Sequence, residues 1–284
     1  MDDSEARIVT MSMPEDSRIR ELDQSLSEHP GRAALDELNA LDSSVRIFLE
    51  NFRRFGRHLI DYQGDPSNAM IVIDMARRSD LERLFEETYR LLHNFLAAAF
   101  TLKEHTRTVR RRVVPGFREG YEREASRRFA ADGAFLVCQG LRNYSTHWQP
   151  ITLHYTAQGL PPTSTTVVMR RQDLLSWKNW PGPAKAWLRQ GNDDIELLAI
   201  SIEYYRKVMS FHGWFSDAVE RSRQADIAGY REKEREYFTL WIETRLDKWL
   251  ADPAMGEPPG DRGLFLRVFD ISFPGGFATR GGWK

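Results

Sequence analysis

Residues 33–64, AALDELNALDSSVRIFLENFRRFGRHLIDYQG, decide the fold class. Their large apolar residues Leu35, Leu38, Leu41, Val45, Phe48, Leu49, Phe52 and Leu59 recur at spacings of three, four and seven. On a helix of about 3.6 residues per turn that spacing draws one apolar stripe and leaves the charges on the other side. The stretch predicts one long amphipathic helix ending near Gly64-Asp65-Pro66. A stripe of that length needs a partner, and the next segment supplies one. Leu81, Leu84, Phe85, Tyr89, Leu92, Phe95, Leu96, Ala99 and Phe100 repeat the period, with Ser79 or Asp80 as the expected N-cap and an end near Arg112, before Pro115.

Working outward, two shorter helical stretches, 117–131 and 134–147, are divided by Asp132-Gly133. Beyond Pro150 the period becomes two: Ile151, Leu153 and Tyr155, then Thr165, Val167 and Met169, flank Gly159-Leu160-Pro161-Pro162 and predict a β-hairpin or two extended segments. Trp177, Trp180 and Trp187 around Pro181-Gly182-Pro183 predict a short helix and a compact aromatic turn, with large aromatics at such spacing serving as core. Ile195 to about Gln224 and Ile227 to Leu250 are again helical, and the Pro/Gly-rich stretch from Asp252 precedes a candidate strand, 264–273. The expected fold is mostly α: an antiparallel helical bundle with a small β-hairpin insertion and an irregular C-terminal extension. The expected organisation is a flexible leader over 1–32, one helical domain over 33–250 with the extended segment near 150–171, and the extension over 251–284.

Bulk properties narrow the function classes. The chain has 284 residues, 41% hydrophobic and 29% charged, which suits a soluble globular protein with a full core. Lys plus Arg number 40 against 41 Asp plus Glu, so attraction to nucleic acid would need a local patch. The single cysteine, Cys138, lies in an apolar run and allows neither an internal disulfide framework nor a cysteine-based zinc site, which fits a cytoplasmic location. No run approaches the roughly 18 apolar residues of a membrane span. His93, His105, His154 and His212 lack metal-ligand spacing, and no phosphate-binding loop or Gly-x-Ser-x-Gly elbow is present. No metal or cofactor is expected.

The chemistry-bearing stretch is Arg142-Asn143-Tyr144-Ser145-Thr146-His147, inside GLRNYSTHWQPI. It offers a permanent cation, an amide and an imidazole, a residue type that exchanges protons near neutral pH. Asn143 and His147, at i and i+4, share a helix face, whereas Arg142 and His147 are about 140° apart. Asn143 is therefore placed to orient the imidazole, and Arg142 to meet a phosphate from the flank. Tyr144 has two readings, a base-stacking ring or core. Arg53 and His58 repeat the spacing but lie inside the first long helix and lack the Asn. Upstream, Lys103, Arg107, Arg110, Arg111, Arg112, Arg118, Arg123, Arg127 and Arg128 face only Glu104, Glu119, Glu122 and Glu124 between residues 103 and 128. This is either a phosphate-binding patch or a solvated helix face with internal ion pairs.

The block GLRNYSTHWQPI resembles the Arg-Asn-x-x-x-His motif of HEPN domains, helical bundles found in toxins, RNA-processing enzymes and phage-defence proteins. The likeness covers about residues 80–150, including the helix that ends in Leu102-Lys103-Glu104-His105-Thr106-Arg107. It implies a metal-independent endoribonuclease in a toxin or phage-defence setting, cutting RNA by 2′-hydroxyl attack to leave a 2′,3′-cyclic phosphate. Arg142, His147 and Asn143 would be its catalytic residues, and Tyr144, Arg107, Arg110, Arg111 and Arg112 would bind the substrate. The implied partners are RNA, a second copy in a homodimer, and an antitoxin or another defence-system protein. The alternative is a non-catalytic dimerisation, nucleotide-binding or regulatory bundle in which Arg142 and His147 are structural, since one fold hosts many functions.

Overall fold

The structure is a computed structural model that describes residues 14–112, 115–159, 164–191 and 194–251. Among them are ten α-helices, a single 3₁₀ turn and a three-stranded sheet. The helices are α1 (Pro14–Ser27), α2 (Pro30–Gly64), α3 (Pro66–Ile73), α4 (Arg78–Arg112), α5 (Pro115–Phe129), α6 (Gly133–His147), α7 (Arg171–Leu175), α8 (Gly182–Gln190), α9 (Leu197–Ser222) and α10 (Gln224–Ala251). The strands are β1 (His154–Gln158), β2 (Ser164–Met169) and β3 (Ile195–Glu196). Among the described residues, no helix is long and apolar enough to cross a membrane.

The chain forms two compact units rather than one domain over 33–250. One runs from Pro30 to Ile227, and the other joins residues up to His29 with those from Ala228. Of the leader expected over 1–32, residues 1–13 lie outside the described residues, and the rest is not loose: α1 is a helix with Leu22 and Leu26 buried at i, i+4. Arg18 donates to Glu236 at 2.7 Å and Lys233 to Ser25 Oγ at 2.6 Å, fastening α1 to α10. Among its few large apolar residues, Leu22 and Leu26 stand one turn apart, a pattern easily lost between so many charges. The expected strand at 264–273 lies outside the described residues.

In the larger unit α2 and α4 are antiparallel. Glu37 meets Arg112, Ser44 meets His105 and His58 meets Thr88, so one index rises as the other falls. The stripe read from α2 supplies the core residues Leu41, Phe48 and Leu59, all fully buried, together with Phe55, which that stripe left out; Phe48 and Phe55 stack on Phe95 of α4 at 5.5 and 5.6 Å. The helix stops at Gly64 because Asp65 caps α3 through Ser67 N at 2.9 Å and Pro66 takes its first turn. The expected cap at Ser79 or Asp80 is displaced. Asp74 accepts from Ala76 N and starts the 3₁₀ turn Met75–Arg77, which leads straight into α4.

β1 pairs antiparallel with β2 (Tyr155 opposite Val167), as the alternation predicted. β3 adds to β2 with Met169 opposite Ile195. That third strand was read as helix start, since two residues ahead of a periodic helix carry no strand signal of their own. Tyr155 docks the hairpin by edge contacts to Tyr62 and Phe85.

α6 packs on α8 at glycine. A Cβ on Gly133 would stand 2.8 Å from the carbonyl oxygen of Pro183, and one on Gly140 would stand 2.5 Å from the Trp180 ring. A backbone oxygen does not rotate away as a flexible side chain does. Gly133→Ala is therefore expected to cost about 1–3 kcal/mol through overpacking, read as a lower urea midpoint with unchanged slope; an unaltered midpoint would disprove the tight seat.

Candidate functional site

The hexapeptide forms the last turn and a half of α6, where Asp132 caps the N-terminus by accepting from Phe135 N at 3.0 Å. Trp148 N and Gln149 N both donate to Tyr144 O, at 3.0 and 3.2 Å, closing the helix just before Pro150. Asn143 and His147 are exposed, on the shared face that their spacing predicted. No hydrogen bond joins them among the described residues, so the proposed aiming of the imidazole by Asn143 is not made in this structure. Arg142 is half-buried, with its guanidinium carbon 3.8 Å from the centre of the Phe100 ring on α4. This cation–π contact holds the fork against α4 without consuming its donors. Trp148 follows the motif at 55% exposure, one of four large apolar side chains left in water among the described residues.

Tyr144 is 0% exposed, which decides between its two readings and corrects its assignment to substrate binding. Its hydroxyl donates to Asp173 O at 3.3 Å and accepts from Gln149 Nε2 at 2.6 Å, and its ring packs with Trp177 and Trp180. Helical geometry turns position 144 toward α7 and α8 when 143 and 147 face water.

The basic stretch does not form one open face. Arg107 bonds Glu104 at 2.7 Å, Arg110 pairs with Glu122 and lies over the Tyr121 ring, and Arg112 approaches Glu37 at 3.5 Å. Arg127 and Arg128 both grip Glu124, whose carboxyl their hydrogen bonds hold down to about 2. The internal ion pairs of the second reading are thus present. Lys103, Arg107, Arg110 and Arg111 nevertheless line one cavity between α4, α5, α6 and α9, which Arg142, Asn143 and His147 do not line. Their spacing of i, i+4, i+7 and i+8 was the signal for a shared face; Gln139, Tyr204 and His212, which join them there, carried none. Among the described residues, no group of three or more His, Cys, Asp or Glu is placed to hold a metal ion.

No protein-family model, curated protein or solved structure matches the chain.

Three other histidines have structural partners. His105 Nδ1 bonds Ser44 Oγ on α2, and His154 Nε2 meets Asp173 at 2.9 Å. His58 meets Thr88 Oγ1 at 2.8 Å, and Thr88 also bonds Tyr155 OH at 2.6 Å and Leu84 O. Burial holds the His58 imidazole below the ordinary histidine range, outweighing the pull of Glu87 and Asp61. Above the unfolded value of 6.5 both states are neutral and stability is complete. As pH falls below it, the unfolded chain takes a proton that the folded one refuses, and stability declines until the lowered folded value is passed. Urea titrations from pH 8 to 5 are expected to show this decline in the wild type and a shallower one in His58→Gln. Equal slopes would refute the assignment.

Proposed function

We propose that this chain is an endoribonuclease of the HEPN kind, cutting RNA by attack of the strand's own 2′-hydroxyl, with the Arg142, Asn143 and His147 groups of two copies meeting in one cleft. One observation carries the reading: Asn143 and His147 stand exposed on one helix face, and neither they nor Arg142 are engaged in a side-chain hydrogen bond or ion pair among the described residues. The three groups are thereby left available to a ligand.

The bond from the 2′-oxygen to phosphorus forms as the bond from phosphorus to the 5′-oxygen breaks. One His147 takes the 2′-hydroxyl proton, and its counterpart from the second copy gives a proton to the departing 5′-oxygen. Arg142 directs its fork at the two non-bridging oxygens, where charge grows. A second copy is needed because Arg142 and His147 diverge by about 140° on one helix. Exposed Trp148 suits the dimer contact or a stacked base. The toxin or phage-defence setting, with an antitoxin or similar partner, follows from the HEPN resemblance alone.

A non-catalytic regulatory bundle is the second reading, favoured by the position of the motif outside the cavity. The deciding experiment incubates the dimer with total and transfer RNA in EDTA, beside His147→Ala and Arg142→Ala. Cuts with 2′,3′-cyclic phosphate ends, lost in both variants, support the nuclease. Absence of cleavage by the folded dimer, or cleavage that survives both substitutions, overturns it.

A further inference from the structure

Between α4, α5, α6 and α9 lies a cavity of about 500 Å³, within the roughly 300–1,000 Å³ of small-molecule sites. Its wall is aromatic, with Phe129, Phe135, Tyr204 and Phe211, and it also presents polar Gln139, Thr106 and Ser126. Its cations are Lys103, Arg107, Arg110 and Arg111.

The charges do not balance. Arg107 is matched by Glu104 and Arg110 by Glu122, whereas Lys103 and Arg111 have no carboxylate partner among the described residues. Lys103 is partly buried, and burial together with neighbouring Arg107 pushes its ammonium below the ordinary lysine range. A cation kept in such a place with only the unbonded pull of Glu104 is a cost to the fold. Arg111, exposed beside it, adds a second cation without a carboxylate among the described residues. Both features call for oxygen acceptors bearing negative charge. A dianion would neutralise the two unmatched cations, and a flat heteroaromatic ring would use both the aromatic wall and its polar groups, which an aliphatic chain would not.

We propose that this cavity binds a nucleoside monophosphate, with the phosphate on Lys103 and Arg111 and the base against Phe129, Phe135 and Phe211. The site is separate from the hexapeptide, and its existence does not depend on RNA cleavage.

Calorimetric titration of the full chain with the four nucleoside 5′-monophosphates, adenosine, inorganic phosphate and laurate tests the assignment. At least one nucleotide is expected to bind, with adenosine and phosphate each weaker by about tenfold or more, and Lys103→Gln and Arg111→Gln each lowering nucleotide affinity by about tenfold or more. Arg111 is exposed, so its variant keeps the test sharp if Lys103→Gln fails to fold. Absence of binding by all four nucleotides at millimolar concentration, binding unchanged in Arg111→Gln, or binding of laurate in place of nucleotides would each overturn the proposal.

Discussion

The His147→Ala protein is expected to lose about 10²- to 10⁴-fold of its RNA cleavage and none of its thermal stability. The first half follows from the proton bookkeeping of the proposed reaction, in which an imidazole must take a proton from the 2′-oxygen or give one to the 5′-oxygen. The second half follows from exposure: His147 sits at the solvent end of α6 and has no side-chain hydrogen bond or ion pair among the described residues. Arg142→Ala is expected to remove cleavage to a similar extent, because preorganised charge at the non-bridging oxygens is a major term in such reactions. It also uncovers Phe100, at a cost of about 0.5–1 kcal/mol for the lost cation–π contact. Cleavage rates under single-turnover conditions, with melting curves of the same preparations, separate the two effects. A His147→Ala protein that cuts at the wild-type rate would remove the motif from the chemistry.

Tyr144→Ala carries the opposite expectation, about 3–5 kcal/mol of lost stability. At about 2–4 °C per kcal/mol for a chain this size, the melting temperature drops by roughly 10 °C. The ring is wholly enclosed by Trp177 and Trp180, and truncation leaves a cavity where α6 meets the α7–α8 segment. Tyr144→Phe isolates the hydroxyl. It keeps the volume but strands Gln149 Nε2, which donates to that oxygen, for about 1–3 kcal/mol. Chemical denaturation of both variants beside the cleavage assay gives the answer. Cleavage lost in Tyr144→Phe with stability intact would return the hydroxyl to the active site.

Within one hexapeptide, then, adjacent residues have different fates, and the sequence shows why only in part. The i, i+4 relation of Asn143 and His147 is intrinsic to any helix, so their common face was legible. Which way that face points is set by what packs on α6. Gly133 and Gly140 admit Pro183 and the Trp180 ring so closely that the Tyr144 side of the helix must be the inner one. The basic stretch shows the same division. Its charges were visible as a count, and the local pairs of Arg107 with Glu104 and of Arg127 and Arg128 with Glu124 follow from helical spacing, but the partners of Arg110 and Arg112, Glu122 and Glu37, come from other helices.

By itself the sequence determined the long helices α2, α4 and α9, the two extended segments of the hairpin and most of the apolar stripes. These depend on periodicity and local stop signals that act within a few residues, such as Asp65-Pro66 after α2. Only the tertiary structure decided that the chain from Pro14 folds as a helix with α10, that β3 joins the hairpin, and that Lys103 and Arg111 stand, among the described residues, without carboxylate partners beside an aromatic cavity. Each of those is a pairing between segments far apart in the chain, and its free energy arises only when both partners are already in place.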